Sequence, residues 1–297
     1  MIETHAFRDG RAHWVWTGER RGQCTRHNRS HYEVRWFRRV FEVPAGATLR
    51  LAVTADSRYR LFLNGKLVSR GPAKGDVAHH FFDVMELGEP LLVAGRNVLS
   101  AQVMDFSRVD CDPPIVGAPA SVMTAGGGFA VDGAVHAADG AVLGSLATPG
   151  AWQACVDDHL EFHAEGNWIG GFVGYFERLH ASPALGALRV GADELPWGDV
   201  VVLGGARRIE EIRDESLPYG LMARMIPALE EHEPVMFARA FLPGGEPAKP
   251  EWLAMLRGGA PVVVPAGERR EVILDAGEMT TRRARPARSC AWPTRRD

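Results

Sequence analysis

Residues 155–175, CVDDHLEFHAEGNWIGGFVGY, concentrate the side chains with most chemical potential. His159, Glu161 and His163 alternate, so an extended backbone sets all three on one face. Imidazole and carboxylate suit zinc or non-haem iron. One short segment supplies three ligands at most, however, and the spacing matches neither HExxH nor a related metal signature. The expectation is a polar loop with no metal and no other cofactor. Further on, Trp168, Phe172 and Tyr175 are spaced to offer a platform for the C–H face of a sugar. Asp157, Glu161 and Asn167 stand beside them to bond hydroxyls. Trp168, Tyr175, Asp157 and Glu161 are therefore the candidate carbohydrate contacts, although aromatic side chains equally serve a core.

Catalytic residues are harder to find. Asp157/Asp158 and Glu210/Glu211 are neighbours in sequence, which does not set two carboxyl groups across a scissile bond. His79 and His80 are adjacent and point opposite ways on a strand. GNWIGGFVG does not spell GxGxxG, and neither a Walker motif nor a GxSxG elbow is visible. No catalytic residue is assigned.

The elements that must position these residues are short strands. In LRLAVTAD (49–56), Leu49, Leu51, Val53 and Ala55 share one face. In VLSAQVMDF (98–106), Leu99, Ala101 and Val103 form a buried face against Ser100 and Gln102. FRRVFEVPAG (37–46) reads as a strand stopped by Pro44 and Gly46. RYRLFLNGKLVSR (58–70) is a hairpin, because Asn64-Gly65 supplies the two positive-φ residues of a type I′ turn. Its loop pairs Leu63 with Lys66, Phe62 with Leu67 and Leu61 with Val68. Tyr59, Leu61 and Leu63 fall on one side, and Arg58, Arg60 and Phe62 on the other. FAVDGAV (129–135) reads as a second tight turn at Asp132-Gly133. Turn clusters such as ELGEP (86–90) and VAGRN (93–97) punctuate the chain. Many short strands at this spacing, without long amphipathic helices between them, predict a mostly β fold: an antiparallel sandwich or jelly roll. Residues 155–197 form a loop-rich insertion that returns to a strand at 199–205. LPYGLMARMIPALEEHEP (217–234) contains prolines that break a helix, so it reads as an extended linker.

Composition bounds the function further. The chain has 297 residues, 46% hydrophobic and 24% charged, with a formal net charge of -3. That balance excludes a basic footprint for nucleic acid. No apolar run approaches the ~18 residues that a membrane-spanning helix needs. MIETHAFRDGR lacks the apolar region of a secretory signal. Cys24, Cys111, Cys155 and Cys290 are widely spaced and read as free thiols of a reducing compartment, hence a cytoplasmic location.

Several segments together carry a family resemblance. WFRRVFEVPAG, TADSRYRLFLNGKLVSRGPAKGD and GRNVLSAQV resemble the N-terminal β-sandwich of bacterial α-L-rhamnosidases. LPYGLMARMIPALEE resembles the linker after that sandwich, and VVVPAGERREVILDAGEMTT resembles the start of the next β-domain. The resemblance covers residues 31–281 in patches. It implies a galactose-binding-like jelly roll over 1–205, a linker over 206–250, and over 251–281 the truncated start of a second β-sandwich. The family carries its catalytic carboxylates in an (α/α)6 barrel several hundred residues further on. The resemblance therefore implies an accessory part of a glycoside hydrolase, inactive alone, with a rhamnoside-like carbohydrate and the absent catalytic domain as partners. The alternative is a self-sufficient carbohydrate-binding module. Residues 282–297, RRARPARSCAWPTRRD, include six arginines and no hydrophobic period. They fit a shifted reading frame better than a basic tail for an acidic partner.

Overall fold

The structure is a computed structural model that describes residues 5–8, 10–18, 33–76, 78–105, 126–163, 176–180, 182–212, 219–228 and 236–277, with backbone alone for 161–163 and 176–178. The chain divides into two compact units, Met1–Pro227 and Ala228–Asp297.

The first unit is a β-sandwich. Its first sheet is built from β1 (His13–Trp16), β3 (Thr48–Asp56), β6 (His80–Leu87), β8 (Gly128–His136), β9 (Val142–Ser145), β14 (Val201–Gly205) and β15 (Leu221–Ala223). They run in the order β14-β1-β8-β3-β6-β15, with β9 also on β8. The second sheet contains β2 (Glu33–Val43), β4 (Arg58–Leu63), β5 (Lys66–Gly71), β7 (Gly95–Asp105), β10 (Gln153–Val156) and β13 (Gly198–Asp199). Its order is β13-β10-β2-β7-β4-β5.

The alternating apolar residues meet between the sheets as their spacing requires. Leu49, Leu51 and Val53 face Leu61, Leu63, Leu99, Ala101 and Val103, and all are buried. Phe37, Phe129 and Trp152 fill the centre, with ring centroids 4.9 Å apart for Phe37–Phe129 and 5.3 Å for Phe129–Trp152. Trp152 donates its indole N–H to the Leu146 carbonyl at 2.8 Å, so its polar edge is satisfied.

The opposite faces are also buried. Phe82, Trp14, Ala52, Tyr219 and Leu221 lie under Ala6, Phe7 and Ala206 on the first sheet. On the second sheet, Trp36, Phe62 and Cys155 are covered by Leu188 of α1 (Ala184–Val190). Arg38 ties this covering segment down: its guanidinium lies 4.7 Å from the Trp197 ring and donates to Gly191 O and Asp193 Oδ1, each at 2.8 Å.

Three local expectations change. Leu61 pairs with Ser69 rather than Val68, because a bulge between Leu61 and Phe62 inserts a residue into β5. Asn64 and Gly65 do take positive φ. Asp132-Gly133 makes no turn, since β8 runs straight through it, paired to β3 at Ala52 and Leu51. The missing side chain of Gly133 admits the close approach of β3, where a Cβ would fall 2.3 Å from Arg50 O. Asp132 Oδ2 instead accepts the Phe7 N–H at 2.6 Å. Within the stretch expected as linker, β15 joins the first sheet, parallel to β6.

In the second unit β16 (Arg239–Phe241) and β17 (Ile273–Asp275) form an antiparallel pair beside the short helix α2 (Glu251–Leu256). Among the described residues no helix is long and apolar enough to cross a membrane.

Candidate functional site

Asp157 follows directly on β10, where Cys155 pairs with Trp36 and Val156 with Arg35. The Asp157 N–H closes this edge on Val34 O at 3.0 Å. Its carboxylate is buried and points into the second sheet's outer face. Oδ2 accepts Trp36 Nε1–H at 2.7 Å and Gln102 Nε2–H at 3.3 Å. Oδ1 accepts the His159 main-chain N–H at 3.0 Å and lies 3.1 Å from His159 Nδ1. Arg60 reaches Gln102 Oε1 at 3.5 Å, extending the network onto the hairpin. Burial, reinforced by the Asp157 charge, pushes the Cys155 thiol up to about 12. Asp157, read from sequence as a hydroxyl-binding group, thus has its acceptors engaged by protein donors.

Glu161 lies on β11 (Leu160–His163), which pairs with β12 (Phe176–Leu179) in the register Glu161↔Arg178 and His163↔Phe176. Leu160–His163 is therefore a paired strand where a polar loop was expected, and His159 lies just before it. Trp168, Phe172 and Tyr175 belong to the residues joining these strands and lie outside the described residues. The structure brings Asp157 to the root of the ribbon that carries Glu161. Among the described residues no group of three His, Cys, Asp or Glu is arranged to hold a metal.

A second polar group, missed in the sequence, gathers where β1, β3 and β7 end and β2 and β8 begin. Glu33 and Asp105 stand opposite each other in the β2–β7 register. Arg35 donates to Glu33 Oε2 at 3.0 Å and to Thr17 Oγ1 at 3.0 Å, with its guanidinium 5.8 Å from the Trp16 ring. Asp105 Oδ2 accepts the Gly127 N–H at 2.9 Å, and Asp56 Oδ2 accepts the Gly126 N–H at 3.1 Å. A Cβ on Gly127 would lie 2.6 Å from the Trp16 ring and 2.8 Å from Asp105 Oδ2. The signal for this site was the triplet Gly126-Gly127-Gly128, which reads as a simple lead into a strand until its neighbours are known.

The GPxxGD stretch after the hairpin works locally. A Cβ on Gly71 would fall 1.9 Å from Asp83 Oδ2. Asp76 Oδ1 accepts the His79 main-chain N–H at 2.7 Å. These hydrogen bonds to the main chain and to fixed side chains position loops; none couples a nucleophile to a base.

No family model matches this chain, and no curated protein matches it. Among solved structures, a GH78-family rhamnosidase of Bacillus sp. GL1 is similar to it at 24% identity and a TM-score of 0.54, over 77% of this chain and 21% of that one. The chain thus spans about a fifth of the length of that enzyme. An α-L-rhamnosidase from Dictyoglumus thermophilum is similar at 12% identity over 78% of this chain and 24% of that one, with a TM-score of 0.46. A Pleurotus ostreatus lectin in complex with GalNAc is 15% identical over 85% of this chain and 54% of that one, with a TM-score of 0.42. The first of these shows a shared fold.

Proposed function

We propose that this chain is the accessory β-sandwich region of an α-L-rhamnosidase-like glycoside hydrolase, and that by itself it cleaves no glycoside. The observation that carries this reading is the shared fold: most of this chain superposes on about a fifth of a GH78-family rhamnosidase. The committed state of the buried carboxylates supports it. Asp56, Asp83, Asp105 and Asp157 each accept hydrogen bonds from the protein, the opposite of a carboxyl poised to protonate a leaving group. Exposed Met225 and Ile226, at 71% and 60%, support a further surface that packs on a catalytic domain. The free, buried thiol of Cys155 fits a reducing compartment, and we place the protein in the cytoplasm.

The test is hydrolysis of an aryl α-L-rhamnoside by the purified chain, paired with calorimetric titration of rhamnose. The expected result is no released rhamnose. Release above a heat-inactivated control would refute the reading. Rhamnose binding that vanishes in Trp168→Ala would instead establish the carbohydrate-binding module.

A further inference from the structure

The stretch Tyr219–Arg224 holds to the sandwich at separate points. The Tyr219 hydroxyl donates to Asp56 Oδ2 and lies 3.0 Å from the Gly126 carbonyl. Leu221 is fully buried among Phe82, Trp14 and Ala52. The Leu221 N–H reaches Arg207 O at 3.1 Å, and the Arg224 N–H reaches Phe82 O at 3.0 Å. At the far end Arg224 donates to Asp83 Oδ1 at 2.8 Å. Gly220 permits the close approach, since a Cβ there would lie 2.2 Å from Ala78 O.

One titratable ring sits beneath this strap. His80 is buried; its main-chain N–H donates to Gly220 O at 2.9 Å. Its ring centroid lies 5.0 Å from that of Tyr219 and 5.7 Å from that of Trp14. Nε2 is 3.2 Å from Ala55 O. The groups facing the ring are thus Trp14 from β1, the Ala55 carbonyl and Asp56 from β3, and Tyr219 from the strap. Asp83 is paired with Arg224, Arg208 lies 5.1 Å over the Phe82 ring, and His79 turns outward to Asp76.

We propose that docking of the Tyr219–Arg224 strap is pH-dependent with His80 as its sensor, so that mild acid loosens the segment leading out of the sandwich while the two-sheet core stays folded. An added proton would place a charge on a ring that is shut off from water, with Nε2 already committed to a carbonyl. Undocking Tyr219 opens the ring to water, which is where the charged form is favoured. Burial holds His80 below the usual histidine range, against the upward pull of the Asp56 charge and the Ala55 carbonyl. The docked state therefore binds fewer protons. Docking is at full strength above the ordinary histidine value of about 6.5 and weakens as pH falls below it toward the depressed value.

The experiment is amide hydrogen exchange on the full chain at about pH 7.5 and about pH 5.5, corrected for intrinsic rates, with His80→Gln alongside. Glutamine keeps a donor near Ala55 O and cannot titrate. Protection at Leu221 and Arg224 is expected to fall in the wild type, by up to about tenfold, with β2 and β7 unchanged and the His80→Gln protein flat. Unchanged protection in the wild type overturns the proposal. So does an equal fall in His80→Gln, which assigns the effect to Asp56 or Asp83, or joint loss of protection in β2 and β7, which is global unfolding. Should His80→Gln fail to fold, the wild-type imidazole is titrated by NMR. His80 must then titrate below the ordinary value with the strap amides following at the same midpoint, and a midpoint at or above that value, or amides that do not follow, overturns it.

Discussion

Replacing Asp157 with alanine separates a structural carboxylate from a sugar-binding one. In the structure its two oxygens receive Trp36 Nε1–H, Gln102 Nε2–H and the His159 main-chain N–H, and one stands 3.1 Å from His159 Nδ1. A hydrogen bond to a charged group contributes roughly 1.5–3 kcal/mol net, and contributions that share an acceptor do not add in full. The variant also strands the Trp36 indole N–H in a buried cluster with Phe62, Cys155 and Leu188. An orphaned buried donor costs about 1–3 kcal/mol by itself. The expected loss is therefore about 3 kcal/mol. At about 2–4 °C per kcal/mol for a domain of this size, the Tm falls by about 6–12 °C. Thermal unfolding followed by near-ultraviolet circular dichroism reads this directly, and Asp157→Asn, which keeps the shape and part of the bonding, should fall between. A Tm within about 2 °C of wild type would refute the reasoning. If that stable variant also lost affinity for a sugar, Asp157 would be a ligand contact.

Two further outcomes follow from the geometry. Gly71→Ala drives a methyl group into Asp83 Oδ2 and the Tyr59 ring, splitting the 2.7 Å Tyr59–Asp83 bond. It should cost about 1–3 kcal/mol in urea unfolding, and a neutral result would show that the loop after the hairpin yields freely. Cys155, buried with its thiol pushed up to about 12, should resist alkylation at mildly alkaline pH in the native protein and react once unfolded. Equal labelling in both states, located by peptide mass spectrometry, would contradict its burial.

How far the sequence could be read depended on the range of the interaction. Alternation over Leu49–Ala55 and Leu99–Val103 is a local signal, and it placed both strands with the correct faces inward. The Asn64-Gly65 turn is likewise fixed by its own two residues. The bulge beside Phe62 was invisible, because it is a mismatch between two strands rather than a property of either one. Asp132-Gly133 carries turn chemistry, yet paired neighbours on β3 and the donor of Phe7 override it. Tyr219 looked like part of a proline-broken linker, since its partner Asp56 lies 163 residues away. At the candidate site the alternation in HLEFH was visible, but the strand Leu160–His163 was not expected, because it depends on its partner β12. The engagement of Asp157 was not legible either, because its donors Trp36 and Gln102 lie 121 and 55 residues away in sequence.

The parallel docking of β15 also sets an order on synthesis. β3, β6 and β8 can pair, and the centre between the sheets can fill, while the ribosome is still adding residues beyond 200. On the outer side of the first sheet Ala6 and Phe7 are made early, but the cover over Trp14 and Phe82 is complete only when Ala206, Tyr219 and Leu221 arrive. A nascent chain therefore passes through a stage with a formed centre and one unsealed face, and a chaperone that recognises exposed aromatic surface has its opportunity there.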